Sequence, residues 1–394
     1  MFIRRFHFVL ILLLSTLVRS EEDEGKKHEN EDLTNLSYSG RDLTKMEFVN
    51  CNLNKARFNQ TLGEKPNFKG SKGSHVTFHS AQLIKANFSE VHFTASEFRL
   101  SDLREAKFNK AVLDSSFFDN AVLPEATFTD ASLIRTVFNE TKFEEKTDFF
   151  RANLEMAKFT NNSLEKADFG KANLKSAFFR NVKFDGANFK GSIMEKTSFL
   201  ECTLSGANLS KIQGANLVFI SPNLVETDMS GFKCKGCQFD RSEMNLTNLN
   251  NASFKNSQMT KTSFHNADMD GVQFEACQLT ESAFEQNKMV KINFTGSNLD
   301  KSRFECAKIV GVKFTGASLI SADFTGVELV DCDFTGAILT NTRFEKATIT
   351  NCNFSDADLS TVFWDAKNLK GNGYNKNTRF PQSYTLKADQ MKLK

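Results

Sequence analysis

The sequence predicts an all-β fold, a solenoid in which the chain turns a corner every five residues around a shared apolar core. The first observation is a row of phenylalanines ten residues apart in the second half of the chain. The second is a methionine, leucine or isoleucine midway between neighbouring phenylalanines, which halves the period to five. The third is the length of the pattern, which extends from Leu33 to Leu369. The predicted structural core includes the whole row: Phe254, Phe264, Phe274, Phe284, Phe294, Phe304, Phe314, Phe324, Phe334, Phe344 and Phe354.

A period of five residues excludes one long helix or one straight strand. A helix turns about 100° per residue, so apolar residues five apart would bury no single face. A strand alternates its side chains, so an odd spacing would send every second large residue into solvent. A chain that bends once per repeat points each large residue inward, as solenoids do. Because phenylalanine alternates with aliphatic residues, like stacks on like only if each turn has an even number of sides.

The register of the repeat has few interruptions. It runs from Leu33 to Phe143, slips by one residue within 144–148, and continues from Phe149 to Leu369. Of these 68 central positions, 64 hold Phe, Leu, Met, Ile, Tyr or Trp. The residue two before each central one is usually small, which we interpret as packing at a corner that points inward. The exceptions at the centre are Gly63, Gly73, Gly214 and Cys234.

The repeat resembles that of the pentapeptide-repeat family, whose consensus is roughly alanine, aspartate or asparagine, leucine and two variable residues. Matching triplets are Ala152-Asn153-Leu154, Ala207-Asn208-Leu209 and Ala322-Asp323-Phe324. The resemblance implies a right-handed, four-sided parallel β-helix without a cofactor. At four repeats per turn the array would make about 17 turns, roughly 80 Å long at about 4.8 Å per turn.

The two ends of the chain lie outside the repeat. Residues 1–20 combine Arg4 and Arg5 with the apolar run Val9 to Leu14, which is typical of a secretory signal peptide and too short for a membrane span. Residues 21–32 predict an acidic disordered leader. Residues 33–370 form the predicted β-helix, and residues 371–394 the predicted C-terminal cap or tail. We therefore expect a secreted chain, in the secretory lumen or outside the cell, with no membrane insertion after processing.

The charge balance makes nucleic acid an unexpected partner. The formal net charge is +2, and removing the three arginines of residues 1–20 brings it to −1. Nucleic-acid binding and anionic membranes usually require a clear excess of positive charge. The expected partner is therefore an unidentified protein, and the chain itself is expected to be a monomer or an end-to-end homodimer, the latter by resemblance to some relatives.

Eight cysteines in a secreted chain raise the question of disulfides. Six of them occupy the small corner position where alanine is commonest, which favours buried thiols, and Cys332 and Cys352 should stack on adjacent turns. Cys234 and Cys237 form a CxxC motif, which is weak evidence for zinc or redox chemistry when it stands alone. We predict a local disulfide between them.

Asn-x-Ser/Thr sequons are frequent, and a eukaryotic host would treat them as glycan acceptors. Four of the sequons, at Asn87, Asn208, Asn293 and Asn353, stand directly before a central residue, where the repeat supplies asparagine in any case. The candidate glycosylation sites among the others are Asn35, Asn59, Asn139, Asn161, Asn245 and Asn251.

Two stretches look irregular in the sequence. Residues 60–75 lose two large central residues, and residues 211–236 contain an out-of-phase Ala215-Asn216-Leu217 together with Pro222 and Gly231. From these breaks we predict that residues 211–236 bulge from the solenoid. Loops on rigid scaffolds often carry function, so the bulge is either a partner-binding site or a tolerated insertion without a partner. In either case, deleting 218–225 would leave the fold intact. The candidate partner-binding residues of this bulge are Asn216, Val218, Pro222 and Asn223.

No motif indicates catalysis, a metal site or a cofactor site. The sequence has no nucleophile elbow, phosphate loop or HExxH motif, and its histidines lack metal-type spacing. We therefore expect a non-enzymatic scaffold for protein interaction or structure. Two alternatives stay open: a DNA-mimic modulator of topoisomerases, as some relatives are, and an ice- or surface-binding protein, suggested by the column Thr295, Thr315 and Thr335.

Overall fold

The computed structural model describes residues 25–143, 147–364, 369–382 and 391–393. These residues form short strands, single bridges and turns, without a helix, so this part of the chain has no helix that could cross a membrane. Each five-residue repeat ends in a residue with left-handed backbone, such as Lys55 (φ 55°) or Asn256 (φ 56°). Residues other than glycine rarely adopt this conformation, yet here it recurs at nearly every corner. The chain thus bends once per repeat, as the period of five predicts.

The molecule divides into two compact units, residues 1–178 and 179–394. Every strand pair described in the first unit is parallel: β1 with β2, β3 with β5, β4 with β6 and β7 with β8. The strand bounds in this unit are β1 (Lys27–Glu29), β2 (Glu47–Val49), β3 (Leu62–Glu64), β4 (Lys72–Ser74), β5 (Gln82–Ile84), β6 (His92–Thr94), β7 (Val137–Asn139) and β8 (Lys158–Ser163).

The second unit is built in the same way and contains longer ladders. Strands β10, β12 and β14 form one parallel ladder, and β15, β16, β17, β19 and β21 form another. The strand bounds are β9 (Phe178–Lys183), β10 (Ile193–Glu195), β11 (Ser198–Leu200), β12 (Gln213–Ala215), β13 (Val218–Ile220), β14 (Lys233–Lys235), β15 (Lys288–Val290), β16 (Lys308–Val310), β17 (Glu328–Val330), β18 (Arg343–Phe344), β19 (Thr348–Thr350), β20 (Phe363–Trp364), β21 (Leu369–Lys370), β22 (Asn372–Tyr374) and β23 (Met391–Leu393).

The register between turns is twenty residues, so each turn has four sides. Met194 lies opposite Gly214, and Gly214 opposite Cys234. In the first unit the spacing becomes 21 where Thr127 pairs with Asp148, because one extra residue enters the turn after Phe143. The prediction of a four-sided parallel β-helix is confirmed, and the two units together contain about 18 turns, slightly more than the 17 expected.

We name the four faces of the second unit by one of its turns. Face A contains the central residue Gly214, face B Phe219, face C Leu224 and face D Met229. The predicted core phenylalanines alternate between faces A and C, and each exposes 1% or less of its surface. Phe304 stacks on Phe324 with ring centroids 4.4 Å apart and meets Phe314 edge to face at 6.1 Å. Such pairs add about 0.5–1.5 kcal/mol each beyond their burial.

The small corner residues do more than fill space. The Ser71 hydroxyl donates to the Phe48 carbonyl and accepts from the Cys51 amide at 2.8 Å. The Asn287 side chain bonds the same pair of groups, the Phe264 carbonyl and the Ala267 amide. These positions therefore link consecutive turns by buried hydrogen bonds, and the interpretation of them as packing alone is incomplete.

The predicted leader is wrong from Lys27 onward. Strand β1 pairs with β2, and Asp32 bridges to Asn52. His28 occupies the central position twenty residues before Phe48, stacks on that ring at 5.2 Å and is 6% exposed. The first turn thus begins one repeat earlier than expected, because a histidine ring fills a core position usually held by an apolar residue. Residues 1–24, including the predicted signal peptide, lie outside the described residues.

The predicted bulge at residues 211–236 is also wrong. Gly214 and Cys234 keep the twenty-residue register, and Leu217 is fully buried at the corner position that follows Gly214. A Cβ atom added to Gly214 would stand 3.1 Å from Leu217 Cδ1 and 2.7 Å from the Met194 carbonyl oxygen. The large side chain has therefore moved from the centre to the corner without a break in the ladder.

Residues 60–75 follow the same rule and stay in register. Gly63 lies opposite Leu83, and Gly73 opposite Phe93. A Cβ atom added to Gly73 would stand 2.9 Å from Val76 Cγ2, so the corner valine occupies the space of the missing central side chain. The apparent irregularity is a compensating exchange of sizes within a regular turn.

Candidate interaction surface

Face A carries a group of lysines where the central positions hold Met194, Gly214 and Cys234. Strands β10, β12 and β14 stack here in register, so their outward side chains form two columns at about 4.8 Å per turn. We call this surface the lysine face; its cations are Lys196, Lys211, Lys233, Lys235 and Lys255.

The middle of the lysine face is a shallow depression. Gly214 and Ala215 form its floor together with Ile193, whose side chain is 53% exposed. The floor lies low because Ala215, which points outward from this strand, has a short side chain, whereas a side chain at Gly214 would point into the core against Leu217. Lys233 and Lys235 project from the next turn at the rim. The depression is therefore apolar at its base, and its edge carries Lys233, Lys235 and Lys255 together with one carboxylate, Glu195.

A disulfide lies directly beneath the rim. The structure joins Cys234 and Cys237, with their Cα atoms 6.0 Å apart. Cys234 points inward from the strand that carries both rim lysines. The Leu217 amide donates to Cys237 Sγ at 3.3 Å, which ties this strand to the turn below. The rim is thus held by a covalent link in addition to its ladder hydrogen bonds.

Four of the five lysines form no ion pair within the described part of the chain. Elsewhere charges on consecutive turns pair, as in Lys85–Glu105, Lys261–Glu281 and Lys308–Glu328. Of the lysine face, only Lys255 forms an ion pair among the described residues, with Glu275 at 2.5 Å. The charges of Lys196, Lys211, Lys233 and Lys235 are left for solvent or a ligand.

The same turns carry their negative charges on other faces. Of the six carboxylates between residues 193 and 255, only Glu195 belongs to face A. The others follow strands or corners of faces B, C and D and balance the lysines numerically: Glu201, Glu226, Asp228, Asp240 and Glu243. The near-neutral composition of these turns thus hides the fact that most lysines and most carboxylates lie on different faces.

The structure does not bring the predicted bulge residues together. Asn216 lies at the corner between faces A and B, Val218 on face B, and Pro222 with Asn223 at the start of face C. Sequence reasoning missed the lysine face. The sequence does place lysines at both outward positions around Cys234. The other lysines of the face belong to other turns, so no single repeat shows the whole group.

The candidate glycosylation sites differ in exposure. Asn35, Asn161 and Asn251 lie at exposed left-handed corners. Asn59, Asn139 and Asn245 are half-buried, and Asn245 Oδ1 accepts from the Ser263 hydroxyl and the His265 amide. Three of the sequons directly before central residues, at Asn87, Asn293 and Asn353, donate their side-chain amides to the turn before, as Asn353 does to Asp333 and Thr335.

The remaining cysteines are free in the structure, and all but Cys306 are buried. Burial raises the pKa of the Cys202 and Cys277 thiols to about 12. These thiols are therefore protonated at neutral pH and poorly suited to nucleophilic or metal chemistry.

Glu305, on face C, is a carboxyl of the second unit whose pKa lies above its ordinary value. Burial raises its pKa, and the negative charges of Asp323 and Glu285 add to the effect. Its Oε2 atom has no hydrogen-bond partner. The described residues contain no group of three or more His, Cys, Asp or Glu side chains that could hold a metal ion.

The threonine column of face A is bonded internally. The Thr295 hydroxyl donates to Asn293, and those of Thr315 and Thr335 donate to Asp333. Consequently these hydroxyls are already oriented by the protein, and the column gives no specific support to ice binding.

Two family models match the sequence. The model of the pentapeptide repeat region matches residues 31–108, 111–189, 231–304 and 267–337, and the model of pentapeptide repeats (8 copies) matches residues 183–217 and 328–362. No curated protein matches the sequence.

Several solved structures are similar. HetL, a pentapeptide repeat protein involved in heterocyst differentiation regulation in the cyanobacterium Nostoc, is 20% identical over 64% of this chain and 89% of its own, with a TM-score of 0.19. A thylakoid-lumen pentapeptide repeat protein from Arabidopsis thaliana is 22% identical over 29% and 68%, with a TM-score of 0.20. Full-length QnrB1, a plasmid-mediated fluoroquinolone resistance protein, is 16% identical over 65% and 94%, with a TM-score of 0.26. Because the family models match most of its length, this chain belongs to the pentapeptide repeat family.

Proposed function

We propose that this chain is a secreted, non-catalytic scaffold that binds a protein partner across the lysine face. Members of the family are generally non-catalytic. The observation that carries the proposal is the pair Lys233 and Lys235, which have no ion-pair partner in the described part of the chain and line a depression with Ala215 and Ile193 at its floor. Its backbone is fixed by parallel ladders. Rigid presentation lowers the entropic cost of binding, because little has to be ordered when the partner docks.

A photo-crosslinking scan tests the location of the partner. One turn offers a matched position on each face: Gln213, Val218, Asn223 and Asp228. Each receives a photoreactive residue in turn, and the purified variants are irradiated in the secreted fraction of the native host. We expect a discrete adduct from Gln213 and none from Asp228. A failure of all four positions to give an adduct contradicts the proposal, whereas adducts from Val218 and Asn223 alone would assign binding to faces B and C.

Secretion is tested separately. Expression of the full sequence in a eukaryotic secretory host should release a chain whose amino terminus is Glu21. The same experiment reports glycosylation, for which we propose the exposed Asn35, Asn161 and Asn251 as the first acceptors. Retention of the uncleaved chain inside the cell would contradict the export part of the proposal.

A further inference from the structure

The inference that follows rests on the proposed function and names the chemistry of the partner. From the depression and its rim, we infer that the lysine face binds a short acidic peptide segment that carries an apolar side chain. The apolar side chain covers Ile193 and Ala215, and its flanking carboxylates pair with Lys233, Lys235 and Lys211.

The geometry of the rim suits an extended peptide. Lys233 and Lys235 leave the same strand on the same side, two residues apart, which places them about 6.6 Å apart. Alternate residues of an extended peptide have the same spacing, so two carboxylates separated by one residue can meet both lysines. Lys255 stands one turn further, at about 4.8 Å from Lys235, but its charge is already paired with Glu275, so Lys233 and Lys235 are the rim cations left for the peptide.

The floor of the depression favours a peptide over a uniformly charged polymer. Ile193 is 53% exposed at the floor of the depression, two turns from Lys233, and a polysaccharide sulfate or a nucleic-acid phosphate would gain nothing from it. The lining also lacks an aromatic ring on which a sugar or a base could stack. An apolar side chain flanked by carboxylates uses both features.

A second depression in this unit is a weaker candidate for binding an acidic peptide. This depression, lined by Lys261, Glu281, Lys301 and Arg303, has two of its three cations already in ion pairs, Lys261 with Glu281 and Arg303 with Glu285. Ala283 at its floor gives little apolar surface. Most of its charges are therefore paired within the protein, in contrast to those of Lys233 and Lys235.

The test is a fluorescence-anisotropy titration of the full chain without residues 1–20. The probe is a labelled synthetic peptide with a central leucine between pairs of glutamates, and a companion peptide has serine instead of leucine. We expect saturable binding that weakens with salt, and affinity several-fold lower for the serine peptide. The variant Lys233→Glu/Lys235→Glu should weaken binding at least about tenfold, in line with the contribution of close interfacial charge pairs.

The matched control is Lys288→Glu/Lys313→Glu, which makes the same change in net charge at two exposed lysines without ion-pair partners in the described part of the chain. It should bind the leucine peptide as the unmodified chain does. Ile193→Ser, which keeps every charge, should abolish the preference for leucine over serine. Circular dichroism and thermal melting establish that each variant is folded.

Three results would overturn the inference: equal loss of affinity in the control variant, equal affinity for the two peptides, or binding of heparin or duplex DNA more tightly than the leucine peptide at the same salt concentration. Crosslinking from another face, together with no peptide binding, would end this inference while leaving the scaffold function intact.

Discussion

Gly214 and Leu217 show how a single repeat can exchange its large and small positions. Leu217 occupies the core space that a central side chain would otherwise fill, and both Gly214 and Gly73 face a large residue three positions later. The sequence pattern alone classifies these sites as defects, since it compares each position with the average repeat. In the packed core the missing central side chain is compensated, because the side chain three positions later fills the space beside the glycine.

Restoring the repeat consensus at this site should therefore destabilise the protein. Gly214→Leu forces its Cβ atom against the Met194 carbonyl and Leu217, and we expect a loss of about 1–3 kcal/mol from overpacking. Leu217→Ala in the same chain removes one of the two clashes, so the double variant should lose less than the sum of the single ones by about 1 kcal/mol. Urea unfolding measures the cycle. Strict additivity, or a more stable Gly214→Leu variant, would contradict the exchange.

Asp333 is a single residue that should make the stability of the folded protein depend on pH in the acid range. Burial raises its pKa, but hydrogen bonds from Thr335, Thr315 and Asn353 outweigh burial and hold the pKa below its ordinary value. A carboxyl with a depressed native pKa stabilises the folded state above its unfolded pKa, and this contribution is lost as pH falls through the native value.

We therefore expect Asp333→Asn to be less stable than the unmodified chain at pH 7, with the difference shrinking between about pH 5 and about pH 2. Urea midpoints of both chains across this range measure the effect. Thr335→Val, which removes one donor to the carboxylate, should move the Asp333 titration observed by NMR toward ordinary values. A difference between the two chains that stays constant with pH would refute the assignment.

At the scale of the element, the strand ladder and not the individual strand is the stable unit. Strands of two or three residues are too short to persist alone, but each pairs in parallel with the strand twenty residues later. The consensus aspartate or asparagine supports this pairing, as Asn87 Oδ1 accepts from the Ser89 amide while its own amide donates to Asn67. Turn and ladder are thus stabilised by the same side chain.

Whether a deletion is tolerated should accordingly depend on whether it keeps the twenty-residue register, and not on how many residues it removes. Removing the twenty residues 218–237 joins Leu217 to Gln238, which is the ladder partner of Val218, and takes away both cysteines of the disulfide. Removing only residues 218–225 extracts Phe219 and Leu224 from the core and puts later residues on the wrong faces. We expect the shorter deletion to lower the thermal midpoint far more than the longer one.

This comparison also decides between the structure and the sequence-based bulge. A bulge at 211–236 would make the eight-residue deletion harmless, whereas a continuous ladder makes it disruptive. The deletion of residues 218–237 is its own control, since it removes the same segment and twelve residues more. A similar midpoint for the unmodified chain and the short deletion would restore the bulge hypothesis.

At the scale of the whole molecule, the repeat made the fold class predictable and left the site obscure. Phe294 and Phe314 stack because their spacing equals one turn, a property that needs no coordinates. His28 escaped prediction because its ring is polar, although it fills a core position as phenylalanine does. The lysine face escaped because its members are spread over sixty residues and meet only when the turns are stacked. The repeat consensus specifies the inward residues that form the core, whereas a binding surface is formed by the outward residues.

The C-terminal residues illustrate how the second unit closes its last turn. Asn372 is fully buried and bonds the Ile349 carbonyl and the Cys352 amide, as the corner serines do elsewhere. The Thr378 hydroxyl donates to the Phe354 carbonyl, and the Arg379 amide donates to the Ala357 carbonyl. These contacts satisfy backbone groups that would otherwise face outward as an open edge.

Truncation after residue 370 should therefore be costly. It uncovers Phe354 and Leu359 and leaves their backbone carbonyl and amide groups unpaired, so we expect a lower thermal midpoint and concentration-dependent self-association through the exposed edge. Light scattering and thermal melting measure both effects. A truncation after residue 382 keeps Asn372, Thr378 and Arg379, and it should stay close to the full chain in both measurements. If the two truncations behave alike, the capping role belongs to residues 383–394 or to none of the tail.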